Sequence, residues 1–136
     1  MSKINKLKLI NLKNFKEKNG NLIVVEFRKK TFIPKRIFQV YAGSGKIRGR
    51  HAHKKSQQLL ICNYGEIEII STDGKKYKTH ILNKSNKALL IPPLIWSELR
   101  YRKRTSILTV VTDSFFSEKD YIRNFGKFLK IKKVKN

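Results

Sequence analysis

The segment GKIRGRHAHKKSQQLLICNYG, residues 45–65, is the most informative in the chain. His51 and His53 are two apart, so on an extended strand both imidazoles project from one face. Gly43, Gly45 and Gly49 punctuate the approach, which reads as a loop or an irregular strand. Leu59 to Cys62 then reads as a strand, and Asn63-Tyr64-Gly65 as the turn that closes it. The pattern is G-x5-H-x-H-x4-Q-x6-G. A neutral imidazole with a reference pKa of about 6.5 can take or give a proton near neutral pH. A His pair on an outer strand face can equally have no chemical role.

Outward from this segment the same kind of signal repeats. Leu7, Leu9 and Leu12 hint at a strand within the basic first 18 residues, which hold six lysines. Asn19-Gly20-Asn21 is a turn, followed by strands predicted over Leu22–Phe27 and Ile37–Tyr41. Glu66–Ile70, Tyr77–Leu82 after the Thr72-Asp73-Gly74 turn, Ala88–Ile91, Leu94–Tyr101 and Ile107–Thr112 complete the set. Pro92-Pro93 cannot lie within a central paired strand. Ser117 is placed to cap a short helix over Glu118–Asn124, with Gly126 beyond it. The basic tail, 127–136, is expected to be loosely held. Nine or ten short strands and one late helix predict an all-β chain, an antiparallel sandwich or barrel of the jelly-roll class, and argue against a βαβ fold.

Size and charge bound the function. The 136 residues fit one domain, 1–136. The formal net charge is +23, from 32 Lys and Arg against 9 Asp and Glu, and such a field attracts polyanions. However, 24 of the cations are Lys beside 16 Ile and 10 Asn, and lysine used as surface filler produces the same numbers. The longest uncharged apolar stretch, Ala88 to Trp96, is nine residues with two prolines, too short for a bilayer. No apolar segment follows the basic start, so nothing marks the chain for secretion. One cysteine, Cys62, rules out an internal disulfide and suits a reducing compartment; a cytoplasmic location is expected.

The 45–65 pattern resembles the first motif of the cupin superfamily, G-x5-H-x-H-x3,4-E-x6-G, at every fixed position but one. Metal-binding cupins use the two His, the Glu and a third His from a second motif. Here Gln58 stands for the Glu, and Ser97, within Pro92-Pro-Leu-Ile-Trp-Ser97, stands for the third His. An amide and a hydroxyl are poor replacements for those ligands, so a metal-free site is expected. Arg48-Gly49-x-His51-Ala52-His53-Lys54, Gln58, Ile91-Pro92-Pro93-Leu94-x-Trp96 and Asp120-Tyr121-Ile122-Arg123 together resemble the sugar 3,4-ketoisomerase family, from about Leu22 to Leu129.

That resemblance implies a cupin-type jelly roll, no metal or other cofactor, and a homodimer with swapped N-terminal strands, which would be the 1–18 region. It implies a substrate, dTDP-4-keto-6-deoxyglucose, converted to a dTDP-3-keto-6-deoxyhexose on the way to a 3-amino-3,6-dideoxy sugar. By the same resemblance His53 is the base and proton carrier, and His51 moves protons between the C3 and C4 oxygens or steadies the oxyanion. Arg48, with Arg36 and Lys54, is expected on the diphosphate. Gln58 is expected to hydrogen-bond the sugar or a neighbouring His, and Trp96 to wall the pocket or fill the core. Tyr121 is expected to stack on the ligand or pack the last helix.

The chain departs from the family pattern at three places. Glu17-Lys-Asn19-Gly20-Asn21-Leu22 lacks an expected arginine. Gln39 stands where a tyrosine is common, with Tyr41 a possible substitute on the same face. Ser97 replaces a His or Arg that influences which sugar face is reprotonated. His80, alone in a strand, is expected to be structural. Rival readings are a sugar-nucleotide epimerase, disfavoured because no Asp falls in the His-rich block, and a non-catalytic sugar-nucleotide-binding cupin. A nucleic-acid-binding barrel would use Arg100-Tyr101-Arg102-Lys103-Arg104, but the lysines are spread along the chain rather than gathered. Neither nucleic acid nor membrane is expected as a partner.

Overall fold

The structure, a computed structural model, describes residues 3–134. After a 3-10 turn at Lys3–Lys6 come β1 (Lys8–Asn11), β2 (Lys13–Glu17), β3 (Gly20–Val24), β4 (Arg36–Ala42), β5 (Ile47–His53) and β6 (Gln58–Tyr64). They are followed by β7 (Ile67–Thr72), β8 (Tyr77–Leu82), β9 (Lys87–Ile91), β10 (Trp96–Tyr101) and β11 (Ser106–Thr112). A 3-10 turn at Glu118–Asp120, the short β12 (Tyr121–Ile122) and helix α1 (Phe125–Val134) complete the described chain. Two five-stranded antiparallel sheets, β1-β9-β6-β11-β4 and β12-β5-β10-β7-β8, face one another as a jelly-roll sandwich, as expected. β2 and β3 form a hairpin sheet of their own.

Side-chain alternation explains which faces close. Along β4, Phe38, Val40 and Ala42 pack on the core, while Ile37, Gln39 and Tyr41 face outward. β6 is apolar on both faces because both are covered. Leu60 and Cys62 join Ile67, Ile69, Leu99 and Val110 between the sheets. Leu59 and Ile61 lie under a second layer built from Phe32, Phe27, Val25 and Leu12. Of the stretch predicted as a strand over Leu22–Phe27 only residues 22–24 pair, as part of β3, because Val25 and Phe27 leave the hairpin to cover this outer face.

The C-terminal region differs from expectation. Glu118–Asp120 is a single 3-10 turn, Ser117 makes no side-chain cap bond, and Tyr121 and Ile122 pair with His53 and Ala52 on β5. The α-helix begins only at Phe125, where the Asn124 side chain accepts a hydrogen bond from Lys127 N at 2.9 Å. Gly126 therefore lies in its first turn. The segment from Lys127 is held rather than loose: Phe128 is fully buried against Trp96, Ala52 and Ile122, with Phe125, Leu129 and Ile131 packing around it. Burying one such phenyl ring contributes roughly 1.5–3 kcal/mol. Residues 1–2 of the N-terminal region and 135–136 of the tail lie outside the described residues.

Candidate active site

The segment 47–53, expected as a loop or irregular strand, is β5, and its irregularity shapes the site. Against β10, Ser97 pairs with His51 and Glu98 with Gly49, so Arg50 is an extra residue in a bulge. Gly49 adopts φ 81° and Arg50 φ 55°. A Cβ at Gly49 would lie 3.1 Å from Ser97 O and 3.0 Å from a Leu99 methyl, so glycine fits both the backbone and the space. The bulge resets the strand's alternation. Arg48, at an even position, and His51 and His53, at odd ones, consequently line the same cavity.

That cavity, of about 270 Å³, lies between the sheets. Phe38, Val40, Leu60, Leu99, Leu108 and Val110 give it apolar walls. Its polar groups come from Arg48, His51, His53, Ser56, Gln58, Ser97, Tyr101, Tyr121 and Arg123. The rings of His51 and His53 meet edge-on at 4.9 Å, and Tyr121 lies 4.4 Å from His53 and 5.1 Å from His51. β12 delivers Tyr121 by pairing it directly opposite His53.

Each imidazole is oriented through Nδ1. His53 Nδ1 lies 2.9 Å from Asp120 Oδ2, and His51 Nδ1 lies 3.0 Å from Gly49 O. A carboxylate and a carbonyl only accept, so both Nδ1 atoms carry the proton and both Nε2 atoms keep a lone pair. His53 Nε2 is buried and has no protein partner. Burial lowers the His51 pKa to about 4, helped by the neighbouring His53 and opposed by the Gly49 carbonyl. Burial also lowers that of His53, more than its hydrogen bond and charge interaction with Asp120 raise it. Both rings are therefore neutral at pH 7, and the His53–Asp120 contact is a hydrogen bond to a carboxylate. Burial alone would raise the pKa of Asp120. Bonds from Ser56 Oγ at 2.5 Å, His53 and Lys55 N at 2.7 Å outweigh it and hold the carboxyl below its ordinary value. Ser114 Oγ supports Ser56 at 2.6 Å.

The expected site residues thus divide. Arg48, His51, His53, Gln58, Ser97 and Tyr121 converge on the cavity, with Ser97 hydrogen-bonded to Ser71 at 3.0 Å. Trp96 does not reach it. One residue before Ser97 on β10, it faces the opposite way and packs on Phe125 and Phe128 under α1. Gln39 and Tyr41 are also excluded, because the alternation of β4 turns them to the outer face, where Tyr41 donates to Gln39. Lys54 lines a neighbouring depression with Lys127 and Asn124. Arg36 lies beside the cavity, over the rings of Phe38 and Phe116. His80 lies on the edge strand β8, away from the site. Among the described residues no three His, Cys, Asp or Glu side chains gather as a metal-binding group.

Spacing did not reveal Asp120, 67 residues from His53, as its partner. The absence of an Asp near the His pair in sequence is therefore no argument against epimerase chemistry, since the fold supplies one. Arg123 and Ser56 were likewise unassigned, although Asp120 and Arg123 stand in the Asp-Tyr-Ile-Arg run that carried the resemblance.

A family model described as "FdtA: WxcM-like, C-terminal" matches residues 5–133. Over 125 residues the chain is 31% identical to the TDP-4-oxo-6-deoxy-alpha-D-glucose-3,4-oxoisomerase of Aneurinibacillus thermoaerophilus, covering 90% of each chain. A 3,4-ketoisomerase structure from Helicobacter canadensis matches with a TM-score of 0.89 and 34% identity, over 93% of this chain and 97% of that one. QdtA, a sugar 3,4-ketoisomerase from Thermoanaerobacterium thermosaccharolyticum solved in complex with TDP, matches with a TM-score of 0.89 and 30% identity, over 95% and 96%.

Proposed function

Because the chain belongs to the FdtA family of WxcM-like C-terminal domains, we propose that it is a sugar-nucleotide 3,4-ketoisomerase acting on TDP-4-keto-6-deoxyglucose. One observation carries this reading: two neutral imidazoles, each held through Nδ1 so that Nε2 keeps its lone pair, line one apolar-walled cavity, and a carboxylate backs one of them. The C4 ketone acidifies the hydrogen on C3. His53 Nε2 takes that proton, and the electron pair left on C3 forms the C3–C4 double bond of an enediolate. His51 relays the hydroxyl proton from O3 to O4, and a proton returned to C4 leaves the ketone at C3. Atoms and electrons balance with no external oxidant.

His53 is the better base for two reasons. Asp120 fixes its tautomer and stabilises the imidazolium that forms, the role a buried carboxylate plays beside a catalytic His. His51, with its pKa near 4, is the weaker base and the better neutral relay. Arg48 and Gln58 line the cavity itself, so we place them on the hexose hydroxyls, and Arg48 not on the diphosphate as expected. The apolar walls suit the C6 methyl group. The 3-keto product has the carbonyl that a C3 aminotransferase needs to make a 3-amino-3,6-dideoxy sugar.

Turnover of the 4-keto sugar nucleotide by His53→Asn and His51→Asn tests the assignment. His53→Asn is expected to lose about 10²–10⁴-fold, including exchange of the C3 hydrogen with solvent. His51→Asn should retain that exchange while losing product. The reverse pattern would exchange the two roles.

The His53–Asp120 dyad favours one second reading, proton abstraction at C5 as in an epimerase, which solvent exchange at C5 would reveal. We also propose a homodimer. Phe15 and Leu22 on the β2–β3 hairpin are half exposed, and an isolated two-stranded hairpin is marginal in water. Among the described residues no helix is long and apolar enough to cross a membrane. The free, buried Cys62 suits the reducing cytoplasm.

A further inference from the structure

Three segments meet behind His53: the residues that follow β5, those that follow β11, and the 3-10 turn that ends at Asp120. The first of them wraps Asp120. Lys54 N donates to its backbone carbonyl at 2.8 Å, Lys55 N to Oδ1 at 2.7 Å and Ser56 Oγ to Oδ2 at 2.5 Å. Oδ2 is also the oxygen that accepts from His53 Nδ1 at 2.9 Å. Ser114, just beyond β11, approaches Ser56 Oγ at 2.6 Å. The segments after β5 and β11 are fastened alongside, because Asp113 accepts from Gln57 N at 2.8 Å and from Gln57 Nε2 at 2.9 Å. Ser114 is fixed in turn by Thr112, whose Oγ1 donates to its carbonyl at 2.7 Å.

Proton counting gives this network a direction. A hydroxyl has one proton to give, and an ionised carboxylate only accepts. The Ser56 proton therefore goes to Asp120 Oδ2, and none remains for Ser114. The 2.6 Å contact must run from Ser114 to Ser56. The alternative acceptor for Ser114, Asp113 Oδ1, is farther away at 3.3 Å and already takes Gln57 N. The outcome is a chain from Ser114 through Ser56 to the very oxygen that faces His53. A hydroxyl that accepts one hydrogen bond donates the next more strongly. A length of 2.5 Å is that of an O–H bond to an ionised oxygen.

We propose that Ser56, backed by Ser114, is a positioning residue for the reaction: it holds the Asp120 carboxylate and limits how strongly that carboxylate draws on the His53 Nδ1 proton. The assignment rests on the ketoisomerase reading, in which His53 is the base. A group that takes a proton at C3 and gives one back at C4 works at moderate basicity, since a stronger base keeps the proton. Ser56 is only 3% exposed, so water does not take over its hydrogen bond. The other groups that act on His53 are the His51 ring at 4.9 Å, the Tyr121 ring at 4.4 Å and the charges of Arg36 and Arg123. Among the described residues, Ser56 is the one side chain besides His53 that donates to Asp120.

Low-field proton NMR and pH–rate profiles of the full chain test it, in the wild type, Ser56→Ala, Ser114→Ala and the double variant. The His53 Nδ1 proton is assigned by its absence from His53→Asn. Loss of the Ser56 donor leaves Asp120 more basic, so this resonance should move downfield, farther in Ser56→Ala than in Ser114→Ala. The acid limb of kcat/KM should move to higher pH, opposite to the direction expected for Asp120→Asn. In Ser56→Ala kcat should fall about tenfold with KM unchanged. Because Ser114 acts only through Ser56, the double variant should match Ser56→Ala. An unmoved resonance and acid limb would overturn the proposal and leave Ser56 a packing residue. A raised KM without those shifts would also overturn it, making Ser56 a sugar contact, as would additive effects of the two serines. A wild type that converts no substrate, with the resonances moving as expected, would defeat the ketoisomerase reading and leave the hydrogen-bond chain standing.

Discussion

At the residue scale, the central arrangement is the imidazole of His53, the base of the proposed reaction, whose proton-bearing nitrogen is fixed from behind by Asp120. Asp120 raises the basicity of His53 against the burial that lowers it. Asp120→Asn should therefore lower the His53 pKa further, moving the acid limb of the kcat/KM profile to lower pH. The plateau should fall by up to about 10⁴-fold as the wrong tautomer becomes available. An unshifted profile with a modest uniform loss would reduce Asp120 to a structural role. His51 predicts a pH effect on stability. Its folded pKa near 4 lies below the ordinary 6.5, so on acidification the unfolded chain takes the proton first. Its contribution is full above pH 6.5 and is lost between 6.5 and 4. The urea midpoint should fall over that window, less steeply in His51→Gln; equal slopes would contradict it. The His pair, Gln58, Ser97 and Tyr121 were legible because a two-residue strand period and a motif spacing bring them to one place. Asp120 was not, because nothing local ties position 120 to position 53.

At the element scale, strands with clean alternation or firm turns were readable, Tyr77–Leu82 to the residue and β4 within one at each end. The bulge at Arg50 was not readable, although it decides which way Arg48 points; Gly49 was its only trace. The last helix was misplaced because Gly126 and the lysines were read as a stop and a tail. The stripe of Phe125, Phe128 and Leu129 is what packs. The same alternation rule that made β4 legible turns Gln39 and Tyr41 away from the cavity, which a family correspondence taken residue by residue does not reveal. Because α1 covers Ala52 and Ile122 at the back of β5 and β12, its loss should reach the site. Phe128→Ala should cost about 3–5 kcal/mol in denaturant unfolding and lower activity by loosening Tyr121. A loss below about 1 kcal/mol would mean that α1 is peripheral.

At the scale of the whole molecule, the jelly roll gathers the polar groups of the site at one sheet edge. β5 and β12 bring a His pair, a carboxylate and a tyrosine together, His53 and Asp120 being 67 residues apart, beside an apolar-walled cavity. The high positive charge is spread over this frame; among its cations Arg48 and Arg123 line the cavity, Arg123 already paired with Glu118, and Arg36 lies beside it over Phe38 and Phe116. The most direct test is proton NMR of the protein with TDP-4-keto-6-deoxyglucose in deuterated buffer. The expected result is loss of the C3 hydrogen signal and growth of a 3-keto product, whose C4 coupling assigns the galacto or gluco configuration. Exchange at C5 with the ketone still at C4, or an unchanged spectrum from protein that binds TDP, would contradict it.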